Sequence, residues 1–261
     1  MVISLKGKKA IVGGSSQGLG KAVAWQLAAS GAEVILLARN AEKLKQVIED
    51  LPDTEGQRHG FLEVDFANFD DFKPIVSQFF EENSIDILVN NTQGPPFGNV
   101  LEMQTDGYES AFNLLFQTNV FLTLRALPGM RSKGYGRIIN LSSITAKEPL
   151  SHLVLSNTMR SALLSWAKSL AKEVAAEGIT VNSVLTGYFE TERLQNIISL
   201  QSARKEITYE EFSKNMQADI PAKRFGQPEE FGHLVAFLAS DFTGYITGTN
   251  ISIDGGYLKG L

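Results

Sequence analysis

The 261-residue sequence predicts an α/β protein: a parallel sheet with helices on both faces. Two observations predict it. Short continuous apolar runs alternate with segments of helical spacing along the whole chain, and a glycine-rich turn joins the first apolar run to the first helical segment. No composition shift marks a boundary and no unit repeats, so residues 1–261 read as one doubly wound domain.

The first run, Ala10-Ile11-Val12, enters Gly13-Gly14-Ser15-Ser16-Gln17-Gly18-Leu19-Gly20, after which Ala22, Val23, Leu27 and Ala28 keep helical spacing. Glycine permits a sharp turn and close approach of a ligand to the backbone. The helix behind it offers unpaired N–H groups and a positive dipole end to an anion. The stretch therefore reads as a phosphate-binding turn, spaced G-x-x-x-G-x-G rather than the common G-x-G-x-x-G. Gly31 closes that helix, Glu33–Ala38 is a buried strand, and 41–51 is helical. A third strand, 59–64, ends at Asp65, and a helix follows over 70–83. The fourth strand, 85–89, runs into Asn90-Asn91-Thr92-Gln93-Gly94, and Pro95-Pro96-Phe97-Gly98 is a loop.

One long helix is expected over 106–132, with Pro128 and Gly129 as candidate breaks near its end. Residues 137–142 form a fifth strand, 155–177 a long helix with a broad apolar face, and 180–185 a sixth strand. The mostly polar 187–221 carries two helices, 192–201 and 208–219. Pro228–Ala239 opens Pro-Glu-Glu, which suits a helix N-terminus, and Asn250–Ile253 is the last strand.

Composition narrows the function. The net charge is −5 with no basic run, which disfavours nucleic acid. The absence of cysteine excludes disulfides, thiolate nucleophiles and Cys-based zinc sites, and fits a reducing compartment. His59, His152 and His233 lack metal-ligand spacing, and Ser143 is not in G-x-S-x-G, so neither a metal site nor a serine hydrolase is expected. Residues 1–10 are too short and polar for a signal peptide, and no apolar stretch approaches a membrane span. The expectation is a soluble, cytoplasmic protein. In a doubly wound sheet the ligand lies at the carboxyl ends of the strands. That directs attention to 14–20, 38–40, 65–66, 90–94, 142–146 and 186–191.

Those strand ends resemble the short-chain dehydrogenase/reductase family over nearly the whole chain. The glycine run is similar to TGxxxGIG, with Gly13 for Thr and Leu19 for Ile. Asn90-Asn91-Thr92-Gln93-Gly94 resembles NNAG, and Asn119 matches the family's helix asparagine. Gly136-Arg137-Ile138-Ile139-Asn140-Leu141-Ser142-Ser143 resembles the strand that ends at the catalytic serine, here Ser143. Val181-Asn182-Ser183-Val184-Leu185-Thr186-Gly187 resembles VNxxxPG, with Thr186 for Pro. Arg224-Phe225-Gly226-Gln227-Pro228-Glu229-Glu230, Tyr245-Ile246-Thr247-Gly248 and Asp254-Gly255-Gly256 resemble the C-terminal third. The likeness is nearest to the β-ketoacyl-acyl-carrier-protein reductase group. It implies a single Rossmann-type domain with a seven-stranded parallel sheet, a substrate lid at 187–221, and a homotetramer or homodimer in which the long helix at 155–177 serves as a subunit contact.

The resemblance also implies a tetrad of Asn, Ser, Tyr and Lys, and here the sequence departs. Aligned from Ser143, the Tyr position is Ser156 and the Lys position is Arg160. A tyrosine titrates near ~10 and a nearby cation brings it closer to neutral. A serine alcohol is a far weaker acid, and Arg160 cannot shed a proton at working pH. Three readings stand. The chain is an oxidoreductase whose proton comes from Ser156, water, His152 or Tyr188. Alternatively it binds a nucleotide without hydride transfer, as a sensor or partner subunit, or it catalyses another reaction on the same scaffold.

In the first reading Ser143 bonds the substrate oxygen, Arg160 holds the nicotinamide ribose, Asn119 supports a water chain and Ser156 fills the donor position. The substrate is then a small carbonyl or alcohol, and the lid's Phe189, Leu194, Ile197, Ile198 and Leu200 either face its apolar part or pack the lid onto the sheet. For the cofactor, Ala38 removes the carboxylate that would favour NAD(H), and Arg39 can pair with a 2′-phosphate, with Ser15 and Ser16 able to assist. Gln17 stands where NADP-dependent relatives often carry a basic residue. The balance favours NADP(H) over NAD(H). By family pattern the remaining cofactor residues are Gly14, Gly18, Leu19, Gly20, Asp65, Phe66, Asn91, Gly94 and Gly187.

Overall fold

The computed structural model describes residues 2–260. Seven parallel strands form one sheet in the order β3-β2-β1-β4-β5-β6-β7. They are β1 (Lys9–Gly13), β2 (Glu33–Ala38), β3 (Gly60–Glu63), β4 (Ile87–Asn90), β5 (Gly136–Ser143), β6 (Ile179–Thr186) and β7 (Asn250–Ile253). The order reverses between β1 and β4, which opens a crevice at the carboxyl edge.

The period-2 strand geometry sorts the side chains between two layers. Ala10 and Val12 of β1, with Ile139 and Leu141 of β5, face one core. Helices α1 (Gly18–Ala29), α2 (Ala41–Asp50) and α9 (Pro228–Ala239) supply Val23, Leu27, Leu44 and Phe231 to it. Ile11 and Ile138 face the other core, against α3 (Phe69–Glu82), α5 (Thr118–Lys133) and α6 (Val154–Val174), which bring Phe72, Leu122 and Leu170. Strands buried on both faces explain the continuous apolar runs of the sequence.

The helix expected over 106–132 is one continuous helical run, 105–133, widened by a turn at its middle. Between α4 (Thr105–Phe112) and α5 lies a π-helical turn, Asn113–Gln117. The Thr118 hydroxyl donates to the Asn113 carbonyl at 2.8 Å and the Asn119 amide to the Leu115 carbonyl at 2.8 Å. The Thr118 N–H also donates to the Asn113 carbonyl, the bond of a π-turn, so these side chains reinforce the widened turn. Pro128, conversely, does not break α5. The carbonyl that loses its amide partner belongs to Leu124, an exposed residue on the solvent side of the helix, where water can reach it. The helix ends at Gly134 instead, at φ +60°.

The segment at 187–221 contains α7 (Glu192–Arg204) and α8 (Tyr209–Asp219). It holds a small core of its own, in which Leu194 and Ile198 pack on Ile220 and Phe225. Phe189 joins the main core and Leu200 is exposed. The segment's apolar residues therefore divide between a local core, the sheet, solvent and, for Ile197, the cavity described below.

The start of α9 is closed by a capping box. Glu230 accepts from the Gln227 N–H at 2.8 Å and from both ends of the Arg224 guanidinium at 2.7 Å. The Arg224 pair and the Gln227 bond hold its carboxyl down at about 2. A depressed carboxylate stabilises the fold above its unfolded value and loses that contribution as pH falls through the folded one. Glu230→Gln keeps the cap's acceptor and loses the charge pair, so it should lower stability at pH 7 by less than about 1 kcal/mol, the range of an exposed pair. Urea melts of parent and variant should converge between roughly pH 4.5 and pH 2.

Candidate active site

The crevice at the switch point is a cavity of about 580 Å³, within the range of cofactor and substrate sites. The glycine turn forms one end. Gly14 adopts φ +56°, and a Cβ on Gly20 would land on the Gly14 carbonyl. The Asn91 amide donates to the Gly13 carbonyl at 3.0 Å, so the loop after β4 braces the turn. No side chain caps α1 and its first turn carries no acid, so its leading N–H groups are free to meet an anion.

Ser15 does not reach the cavity. It is fully buried, and its hydroxyl accepts from the Leu37 N–H at 3.1 Å, tying the turn to β2. It is a structural tie, unlike Ser16, which lines the cavity with Gln17, Gly18 and Leu19. Arg39 lines the same end, its guanidinium 3.9 Å from Asp65. The sequence reading missed Lys43. Asn40 caps α2 by accepting the Lys43 N–H at 2.9 Å, and the Lys43 ammonium reaches Gln17 Oε1 at 3.2 Å. A cation thus arrives from α2 beside the position where the sequence offers only glutamine.

At the other end, β5 stops at Ser143, paired in register with Thr186 of β6. Ser143 Oγ accepts from the Thr145 N–H at 3.2 Å and the Thr145 hydroxyl at 3.1 Å. Two donors behind it leave its own hydrogen to point forward. On α6, Ser156 Oγ accepts from Arg160 Nε at 3.2 Å, while Arg160 Nη1 donates to the Leu141 carbonyl at 2.7 Å. Ser156 is likewise left with a free hydrogen. Burial, with a smaller contribution from Arg193, brings the Arg160 guanidinium down to about 10, so it remains a cation at neutral pH. The Ser142 hydroxyl on the cavity floor is buried without a partner.

Several expected residues lie elsewhere. Asp65 and Gly94 do not line the cavity: Asp65 Oδ1 accepts from the Ala67 N–H at 2.9 Å, and Gly94 lies under the Arg193 guanidinium. Asn119 is buried on its own carbonyl bond behind the wall. His152 is exposed beside Phe97, outside the lining. Tyr188 lines the cavity, but burial and then Tyr257, packed at 5.5 Å, push its hydroxyl further from acidity. That is opposite to what a proton donor needs.

Phe66 and Gly187 line it as expected. Thr191, at the end of the marked stretch 186–191, and Arg193, which the sequence reading did not single out, close the cavity at the start of α7. Thr191 caps the helix by accepting the Leu194 N–H at 3.3 Å and rests on Gly18. The clue for both was their place just after Gly187. Arg39, Lys43, Arg160 and Arg193 face a single carboxylate, Glu192, so the cavity is cationic at both ends. Free helix N–H groups, a turn no Cβ could enter and these cations fit a phosphate-bearing dinucleotide.

Fold and cleft together define a Rossmann-type protein with its site at the strand-order reversal. Residues 14–258 match the family described as Enoyl-(Acyl carrier protein) reductase. The 3-oxoacyl-(acyl-carrier-protein) reductase of Aquifex aeolicus is 32% identical over 261 residues, covering 98% of this chain and 99% of the relative. The NADPH-dependent reductase BacG of Bacillus subtilis is 29% identical, covering 97% and 99%. The crystal structure of L-sorbose reductase from Gluconobacter frateurii, complexed with NADPH and L-sorbose, aligns with TM-score 0.93 at 30% identity, covering all of both chains. The chain belongs to the short-chain dehydrogenase/reductase family of oxidoreductases. Among the described residues, no helix is long and apolar enough to cross a membrane.

Proposed function

We propose that this protein is an NADP(H)-preferring oxidoreductase that interconverts a small carbonyl and a secondary alcohol, similar in its chemistry to a 3-oxoacyl reductase. The observation that carries the catalytic part is the pair of serines. Ser143 and Ser156 each accept from a donor behind them and keep a hydrogen for the cavity. Two such hydroxyls hold a carbonyl oxygen, and Arg160 behind Ser156 offsets the negative charge that develops there. In place of a phenol, Ser156 supplies the hydrogen bond and water replaces the proton. When bound, the nicotinamide dinucleotide supplies the two-electron chemistry. The turn at 14–20, with Arg39, Lys43, Phe66, Asn91 and Gly187, holds it, Arg160 orients its ribose, and residues 187–221 act as the lid. Asn119 acts from behind the wall as a support. A homodimer or homotetramer in the cytoplasm completes the reading.

Preference for NADP(H) rests on Arg39 and Lys43, which flank Gln17 with no acid at position 38. Lys43→Met should weaken NADPH binding about tenfold, a modest value for a charge-assisted bond at an exposed site. NADH binding should stay unchanged, and fluorescence titration of both nucleotides checks this. The function itself is tested by NADPH binding and oxidation against a panel of ketones and 3-oxoacyl thioesters. Turnover on any of them supports the reading. Tight NADPH binding with no turnover favours a nucleotide-binding homologue without hydride transfer. That second reading has its own observation, since a serine alcohol stands in the phenol's place and Arg160 is spent as a donor on it and on the Leu141 carbonyl.

A further inference from the structure

Arg193 stands in an unfavourable place by every local rule. It occupies the first turn of α7, where the helix dipole opposes a cation. The residue is exposed overall, but its guanidinium lies over Gly94 at the cavity wall, where burial lowers its pKa. Arg160 lines the same cavity, and after burial the Arg193 charge is what lowers the Arg160 guanidinium further. Among the described residues neither arginine has a carboxylate within ion-pair distance. Arg160 spends Nε on Ser156 and Nη1 on Leu141, which leaves Nη2 unspent. Glu192, the neighbouring acid on the cavity, does not pair with either. Two guanidiniums that line one cavity without a carboxylate partner favour an anion bound between them. Sequences accept such local conflicts at functional sites.

We propose that Arg193 and Arg160 form an anion subsite at the lid end of the cleft, which takes a carboxylate or phosphate group between the two guanidiniums. This rests on the oxidoreductase reading and deepens it. The anion is carried either by the carbonyl substrate, making an oxo-acid the favoured class, or by the diphosphate of the dinucleotide. Because Arg193 belongs to α7, binding of that anion also draws the lid onto the cleft. Planar guanidiniums suit bidentate carboxylate or phosphate better than an ammonium does.

The test uses the full-length protein, with Arg193→Met and Arg193→Lys variants whose folding is checked by circular dichroism. Calorimetric titration reads three probes: NADPH, 2′,5′-ADP (which lacks the diphosphate bridge), and oxalate added to the NADP-saturated protein. If the anion is the substrate's, Arg193→Met weakens oxalate at least tenfold and leaves NADPH within twofold. If it is the diphosphate, the variant weakens NADPH at least tenfold and leaves 2′,5′-ADP unchanged. In either case Arg193→Lys restores part of the loss. Unchanged affinity for both NADPH and oxalate in Arg193→Met overturns the subsite while the functional reading stands. A parent protein that binds no NADPH overturns both.

Discussion

Replacing Ser156 with Tyr and Arg160 with Lys together is expected to raise carbonyl reduction by about 10²–10⁴-fold, the range supplied by a positioned general acid. Ser156 lines the cavity opposite Ser143's strand end, and its hydroxyl is held by Arg160 Nε at 3.2 Å. A serine held in this way polarises an oxygen but gives up a proton far less readily than a phenol titrating near ~10. Lysine in place of Arg160 also removes the tether from Nη1 to the Leu141 carbonyl, freeing a compact cation to act on both phenol and ribose. Ser156→Tyr alone should gain less, because the guanidinium stays tied to the strand. Turnover numbers with NADPH and a 3-oxoacyl thioester decide the matter, with NADPH affinity as the control. A double variant that binds NADPH normally and gains nothing would show that the reacting oxygen does not sit beside residue 156.

The order of strands and helices was legible because each buried strand is a continuous apolar run and each helix has its own stripe. The boundary errors have local causes. Pro128 looked like a break, but its cost depends on whether the Leu124 carbonyl meets water, which only packing decides. The π-helical turn at Asn113–Gln117 left no periodic signal, since it is held by the side chains of Thr118 and Asn119. In the site, the glycine turn was legible as a strand-end feature, while Ser143, Ser156 and Arg160 were placed through the resemblance to the family's motifs. Lys43 and Arg193 could not. Their approach to the cleft depends on how α2 and α7 are docked, and both read in sequence as ordinary exposed helix charges.

Those two residues change the electrostatic picture of the cleft. From the sequence, Arg39 stood alone as the cation for a cofactor phosphate, beside an uncharged Gln17. In the structure Lys43 bonds Gln17 directly, so the positive charge is restored through a neighbour. At the opposite end the sequence suggested only that Arg160 had replaced a lysine. The structure adds Arg193 across from it and supplies no acid to either. The departure from the family pattern is thus more than the absence of a phenol: two arginines line the cleft without a carboxylate partner among the described residues, where the resemblance implies one lysine.

Gly20→Ala should raise the dissociation constant for NADPH at least about 100-fold, a loss near 2.7 kcal/mol. Two effects of opposite sign compete at this position. Alanine in a helix is worth about 1 kcal/mol over glycine. Against that, a Cβ here would fall on the Gly14 carbonyl, with the Gly14 carbonyl carbon at 2.7 Å and Ser15 Cα at 3.0 Å. Backbone atoms held by the Ser15–Leu37 and Asn91–Gly13 bonds cannot give way as a flexible side chain would. Overpacking of this kind costs about 1–3 kcal/mol, which exceeds the helix gain, and it spreads the very turn that must close on phosphate. Gly244→Ala is the matched control, because the nearest atom to its new Cβ is Arg137 Nη2 at 3.8 Å. It should leave both binding and stability within about 0.5 kcal/mol of the parent. Fluorescence titration with NADPH and urea melts of the two variants separate the outcomes. If Gly20→Ala bound NADPH as the parent does, the dinucleotide would have to lie elsewhere than over the glycine turn.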